Sequence, residues 1–212
     1  MQNKKLLISS SLIIIFLLFL AVFSYKQNIA HKVVSQDENI LTRDYSFTKG
    51  KNQKNVSIVE FIDPECESCA VFNEYLKDVY KNFSDEIQIT YKYIPNHKNS
   101  KFAIKILEAS REQNLYNEVL DSMLKYLPVW ATHNKEKPEL LWDILKDIPN
   151  IDLEKIKVDM QNSKIDDIIN QDLNDAKKLK VRGTPTIFIN GKILDRLSSN
   201  ALNDAVENEI YK

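Results

Sequence analysis

Hydrophobic residues change their spacing several times along this chain, and each change marks an element. Leu6 to Phe23 is apolar apart from Ser9, Ser10 and Ser11, and no polar side chain occurs from Leu12 onward. A run apolar on every side predicts a hydrophobic helix with no wet face at the N-terminus. Residues 26–38 are polar and aperiodic and read as a linker, followed by a short candidate strand at Ile40–Phe47. Val56-Ser-Ile-Val-Glu-Phe-Ile62 is rich in β-branched residues and reads as a buried strand, stopped by Asp63-Pro64. Cys69, Phe72, Leu76, Val79 and Phe83 follow at spacings of 3, 4, 3 and 4, one face of an α-helix. Ile87, Ile89, Tyr91 and Tyr93 alternate with Gln88, Thr90 and Lys92, which is strand periodicity. Residues 56–94 therefore predict β-α-β.

Helical spacing governs the next stretch, about 98–180. Ala103–Glu112, Leu115–Leu127, Glu139–Ile148 and Leu153–Asn162 are candidate helices, punctuated by Pro128, Pro138 and Pro149. A longer helix carries Ile165, Ile168, Ile169, Leu173, Ala176 and Leu179. Thr186–Ile189 and Lys192–Leu194 then read as strands joined by Asn190-Gly191, a strong hairpin signal. Leu202, Ala205, Val206 and Ile210 share one face of a final helix. The order is β-α-β, helical insert, β-β-α. It describes one α/β domain over 39–212, without internal repeats.

Composition narrows the class. The chain has 212 residues, 43% hydrophobic and 28% charged, which are ordinary globular values. The net charge is −1, and −4 once residues 1–26 are set aside. No basic stripe interrupts the acidic remainder, so nucleic acid is not expected as a partner. Lys4 and Lys5 ahead of the apolar run make residues 1–25 an export segment. At about 1.5 Å per residue, 6–23 would reach roughly 27 Å, enough to anchor the chain in a membrane. The positive-inside rule then places the domain outside the cytoplasm. Cleavage of a signal after Ser24 is the other reading. Both put the domain in the cell envelope, on the periplasmic or extracytoplasmic face, with anchoring to the inner membrane in the first case.

The chain's two cysteines stand together as Cys66-Glu67-Ser68-Cys69, after a predicted strand and at the start of a predicted helix. Unpaired N–H groups and the positive end of the helix dipole stabilise a thiolate there. In Cys-X-X-Cys sites the thiol pKa falls from about 8.5 to roughly 3.5–7. Cys66 is expected to be exposed and nucleophilic, and Cys69, one turn in, buried and able to resolve a mixed disulfide. A bridge closing so short a loop gains little chain entropy, which suits exchange better than stabilisation. The three histidines, His31, His97 and His133, are scattered singly, so a four-ligand zinc site is not expected. No metal and no cofactor beyond a redox-active Cys66–Cys69 disulfide is anticipated. Far downstream, Val181-Arg182-Gly183-Thr184-Pro185-Thr186 places a proline at the opening of a strand, where a cis bond would fit a tight turn.

These segments resemble the DsbA-like branch of the thioredoxin superfamily. Val59-Glu60-Phe61-Ile62-Asp63-Pro64-Glu65-Cys66-Glu67-Ser68-Cys69 is similar to the family's strand and active-site segment. Tyr93-Ile94-Pro95-Asn96-His97-Lys98-Asn99-Ser100 is similar to its entry into a helical insert, and Asp172-Leu173-Asn174-Asp175-Ala176 through Thr186 to its return to the sheet. The resemblance implies a thioredoxin fold with an inserted helical subdomain. It implies exchange of disulfides with unfolded or reduced exported proteins, and a membrane or soluble partner that resets the cysteines. It makes Cys66 the attacking cysteine, Cys69 the resolving one and Pro185 the cis-proline. It makes Thr184, with Gly183 beside it, the segment that pairs with substrate. It also makes Glu60 a buried acid able to move a proton to or from Cys69. His97 reads as a loop residue, with a role near the site as the alternative.

Two departures bear on direction. Glu-Ser replaces the Pro-His of the strongly oxidising members. Glu65 and Glu67 are expected to raise the Cys66 pKa by repulsion and to make the pair a moderate oxidant, roughly −150 to −230 mV. Lys180 stands where a glycine would be common. Disulfide formation is the leading function. A reductase or isomerase of the same fold is the alternative, and a binding or scaffold module with a structural disulfide is the alternative from another class.

Overall fold

The computed structural model describes residues 16–20, 40–131 and 136–212. Two units divide the chain, residues 1–40 and 41–212. In the first unit, residues 16–20 are helical, and most of the apolar run lies outside the described residues. Among the described residues no helix is long and apolar enough to cross a membrane.

The second unit is built on a five-stranded sheet in the order β1-β3-β2-β4-β5. Its strands are β1 Phe47–Lys49, β2 Val56–Ile62, β3 Ile87–Tyr93, β4 Thr186–Ile189 and β5 Lys192–Ile193. Only β2 and β3 run parallel, because helix α1, Glu67–Phe83, crosses between them. Glu60 pairs with Tyr91 on β3 and with Ile187 on β4. Between β3 and β4 lie α2 (Ser100–Ser110), α3 (Tyr116–Lys125), α4 (Leu127–Trp130), α5 (Leu140–Leu145), α6 (Leu153–Asp159) and α7 (Ser163–Lys178). The chain ends with α8, Ser199–Ile210. The expected β-α-β, helical insert, β-β-α order is therefore the fold.

Boundaries moved where tertiary partners outweighed local pattern. The candidate strand at Ile40–Phe47 begins only at Phe47. The preceding turn instead delivers Arg43 to Asp175 at 2.7 Å and the Tyr45 hydroxyl to Asp172 at 2.7 Å. The alternation in β3 implied a wet face, yet Thr90 and Lys92 are as buried as Tyr91 and Tyr93. Val59, Phe61, Phe188 and Ala176 form a second apolar cluster over that face, contributed by β2, β4 and α7. Parallel strands are usually covered on both sides in this way. Lys92 is accommodated there by Asp172 at 2.6 Å and Asp175 at 3.0 Å.

Turn chemistry positions the ends of the sheet. Asn190 and Gly191 both have positive φ, 44° and 77°, as a two-residue hairpin of the observed register requires. At Gly50, with φ of 103°, an added Cβ would meet the Ile87 carbonyl oxygen at 2.2 Å. Lys180, just beyond α7, is held at φ 57°, the left-handed conformation that favours glycine after a helix.

Candidate active site

The β2–α1 turn places Cys66 as the N-cap of α1, in extended conformation. Its N–H donates to the Asp63 carbonyl at 3.0 Å, and its own carbonyl accepts from Ala70 at 3.1 Å. Cys69 lies one turn in, on the face shared by Phe72, Leu76 and Val79, and is fully buried. Both cysteines are free thiols here. The other half of the site comes from the chain entering β4. The Thr184–Pro185 bond is cis, and the Thr184 carbonyl faces the Cys66 sulfur at 3.5 Å. Gly183 leaves open space at its Cβ position, and its carbonyl accepts from the Thr186 hydroxyl at 2.7 Å. The fold thus brings Cys66 beside Thr184, 118 positions apart.

The two thiols are driven in opposite directions. The Cys66 pKa is lowered to about 5. The Cys69 thiol contributes most to this, burial opposes it, and the Cys69 N–H, the Thr184 side chain and the Ser68 N–H reinforce it. The Cys69 pKa is pushed up, first by burial, then by its hydrogen bond to Cys66 and by the nearby Glu60 and Cys66 charges. Glu60 is fully buried, and neither carboxylate oxygen has a hydrogen-bond partner. Burial raises its pKa to about 8, Lys49 pulls it back, and Cys66 raises it further.

Two expectations need correction. Cys66 is not broadly exposed: only 8% of its surface is open, with the Thr184 carbonyl 3.5 Å from its sulfur. The acids flanking Cys66 also do not decide its pKa, which falls overall. Glu65 is buried, and its carboxylate accepts from Asn99 N at 2.6 Å, Asn99 Nδ2 at 2.9 Å and Ser100 Oγ at 3.4 Å. Glu65 is therefore a clamp on the loop before α2. The Cys69 thiol, reinforced by N–H groups at the start of α1, governs the thiolate instead.

Asp63 is a site residue to which the sequence reading gave no role. Fully buried, it accepts from Glu65 N at 2.9 Å, from Asn96 N at 2.8 Å and, through Oδ2, pairs with His97 Nδ1 at 2.8 Å. The signal available was its place at the end of a buried strand, where an acid needs partners. Cys66, Glu65, Glu67, Ser68, His97, Lys98, Ala131 and Glu136 line a cleft of about 260 Å³. Among the described residues no three His, Cys, Asp or Glu side chains converge to hold a metal. The arrangement can hold one thiolate at a cleft, a protonated thiol behind it, and an acid within electrostatic reach.

Comparison with known proteins agrees with this geometry. The thioredoxin family model matches residues 42–208. Disulfide bond formation protein D of Bacillus subtilis is 26% identical over 178 residues, 76% of this chain and 75% of the relative. The crystal structure of oxidised BdbD from Bacillus subtilis superposes with a TM-score of 0.71 at 22% identity, covering 81% of this chain and 96% of that one. The thiol-disulfide exchange protein alpha-DsbA2 from Wolbachia pipientis gives 0.69 at 22% identity, covering 87% and 97%. With the family match spanning the domain and a helical insert between β3 and β4, the chain belongs to the thioredoxin family, in its DsbA-like branch.

Proposed function

We propose that this thiol:disulfide oxidoreductase works in the oxidising direction, forming disulfides in exported proteins with Cys66 as nucleophile and Cys69 as resolving thiol. The observation that carries it is the separation of the two thiols, Cys66 held at about 5 and Cys69 pushed up. A stable Cys66 thiolate favours the reduced pair, so the disulfide is a good electron acceptor. Known sites bracket the value, with the first thiol at about 3.5 in a potent oxidant and about 7 in thioredoxin. The Bacillus subtilis relative is named for disulfide bond formation, and the basic, apolar segment before Tyr25 fits export.

In the forward reaction a client thiolate attacks the Cys66 sulfur at the cleft. The Cys66–Cys69 bond breaks, and Cys69 leaves as a thiolate. Glu60, protonated near neutral pH, supplies the proton that Cys69 needs in its buried position. The client's second thiolate then attacks its own sulfur in the mixed disulfide and expels the Cys66 thiolate, a good leaving group because of its low pKa. The client loses two electrons and forms its disulfide, and the cysteine pair gains them. Thr184 and Gly183 line the substrate approach with backbone groups, and Pro185 shapes that segment. A membrane or soluble partner reoxidises the pair.

Equilibration with glutathione tests the direction. The expected potential is about −150 to −200 mV. A value below about −260 mV, near thioredoxin's, would replace this reading with that of a reductase. Scrambled-substrate refolding that outpaces dithiol oxidation would point to an isomerase. An alkaline phosphatase fusion after residue 40 tests export, with an inactive fusion counting against it.

A further inference from the structure

His97 stands outside the Cys66-Glu67-Ser68-Cys69 motif, yet its imidazole lines the same cleft as Cys66. Its position is built. Asp63 is fully buried and takes His97 Nδ1 at 2.8 Å, while the same carboxylate accepts from Asn96 N and Glu65 N. The His97 N–H donates to Ser100 Oγ at 3.0 Å, and Asn99 is fastened to Glu65. With Nδ1 committed to Asp63, Nε2 is the ring nitrogen left for the partly open cleft.

The surrounding charge favours a cation at the cleft. Asp63, Glu65 and Glu67 come from the β2–α1 turn and the start of α1, and Glu136 from the segment before α5. Lys98 is the other basic residue lining the cleft. A thiolate added to these acids is costly unless a positive group faces it. We propose that His97, oriented by Asp63, is the charge partner of the Cys66 thiolate, an imidazolium supplied by the loop before α2 in place of a histidine between the cysteines.

The electrostatics run in the same direction. Partial burial lowers the His97 pKa, but the Asp63 hydrogen bond and charge, followed by the Cys66 and Glu65 charges, raise it above its ordinary value overall. Coulombic coupling is mutual, so the His97 cation stabilises the Cys66 thiolate as the thiolate stabilises it. The ion pair exists between the Cys66 pKa, about 5, and that of His97. Above that window His97 is neutral and the thiolate loses its partner.

This deepens the reading of Cys66 as nucleophile, but its test needs no client and no redox direction, so the two can fail separately. The imidazole signals of the full-length protein in detergent are titrated by NMR in the reduced and oxidised forms. His97 is assigned with His97→Gln. The His97 midpoint is expected to lie higher in the reduced form by about half a unit to one unit. Equal midpoints overturn the proposal, and this arm needs no variant to fold well. The second arm follows thiolate absorbance at 240 nm and iodoacetamide labelling. His97→Gln should raise the Cys66 midpoint by a similar amount, slowing labelling about 2- to 5-fold at pH 5 and leaving it unchanged at pH 9. His97→Arg should restore labelling at pH 5. A loss of the same size at both pH values marks a merely structural role and overturns the proposal.

Discussion

Glu60→Gln offers the sharpest test of the buried acid, because its effect on stability has a predictable pH dependence. Glu60 has a folded pKa of about 8 against an ordinary value of 4.5. Burial is the main cause, and Lys49 opposes it. The folded protein therefore holds a proton that the unfolded chain releases above pH 4.5. An acid raised in this way has its full stability below the unfolded pKa and loses it as pH climbs toward the folded one. At about 1.36 kcal/mol per unit, the wild type loses about 3 kcal/mol by pH 7 and between 4 and 5 by pH 8, relative to a side chain that cannot ionise. Urea unfolding of the oxidised forms is the assay, since the thiols then do not titrate. The stability difference, variant minus wild type, should be flat below pH 4.5, rise across 4.5–8 and level off above. The amide's own unpaired atoms shift this curve by a constant without changing its slope. A difference that stays flat from pH 4 to 8 would refute the argument, because Glu60 would then ionise alike in both states.

Iodoacetamide should label Cys66 in the reduced protein with a midpoint near pH 5 and leave Cys69 unlabelled at neutral pH, read by mass spectrometry; equal labelling of both would return the pair to a structural role. Lys92→Met should destabilise the protein by about 3–5 kcal/mol in denaturant melts, because it leaves the buried Asp172 without its cation, while Asp175 keeps Arg43. Lys180→Gly should raise stability by about 0.5–1 kcal/mol by relieving the left-handed residue after α7. Thr184→Val should raise the Cys66 pKa, measured by thiolate absorbance, since the Thr184 side chain is one of the groups that lower it.

Local pattern carried far where one face decides burial. The 3-4-3 spacing from Cys69 to Val79 marked the buried face of α1, and Asn190-Gly191 marked the β4–β5 turn. Glu60 was legible through the resemblance, which places a buried acid at that position of the family's strand. Lys92 was not, since alternation with tyrosines describes a half-wet strand equally well. Its burial depends on Asp172 and Asp175, some 80 residues later on α7. The clamp of Asp63 and Glu65 on Asn96–Ser100 was hidden for a related reason. Each half is a polar segment that looks solvent-facing by itself, and only the parallel β2–β3 pairing sets their ends side by side. Glu65 was given the wrong effect because charge was read without its hydrogen bonds.

That clamp also explains how one short motif can hold two thiols of opposite character. Cys66 caps α1, where N–H groups lacking helical acceptors stabilise negative charge. Cys69, three residues on, has the apolar face of α1 around it and Glu60 within electrostatic reach. A turn free to shift would lose this separation. Asp63 and Glu65 prevent this by fixing the turn to the loop before α2 through hydrogen bonds to Asn96, His97, Asn99 and Ser100. Glu65, which the linear sequence sets against the thiolate, is thus one of the two groups that hold it at the helix terminus. Asp63→Asn, which keeps the size and loses the charge, should therefore narrow the gap between the two thiol pKa values rather than lower that of Cys66. A fall in the Cys66 pKa on removing this negative charge would show that repulsion, and not positioning, governs the turn.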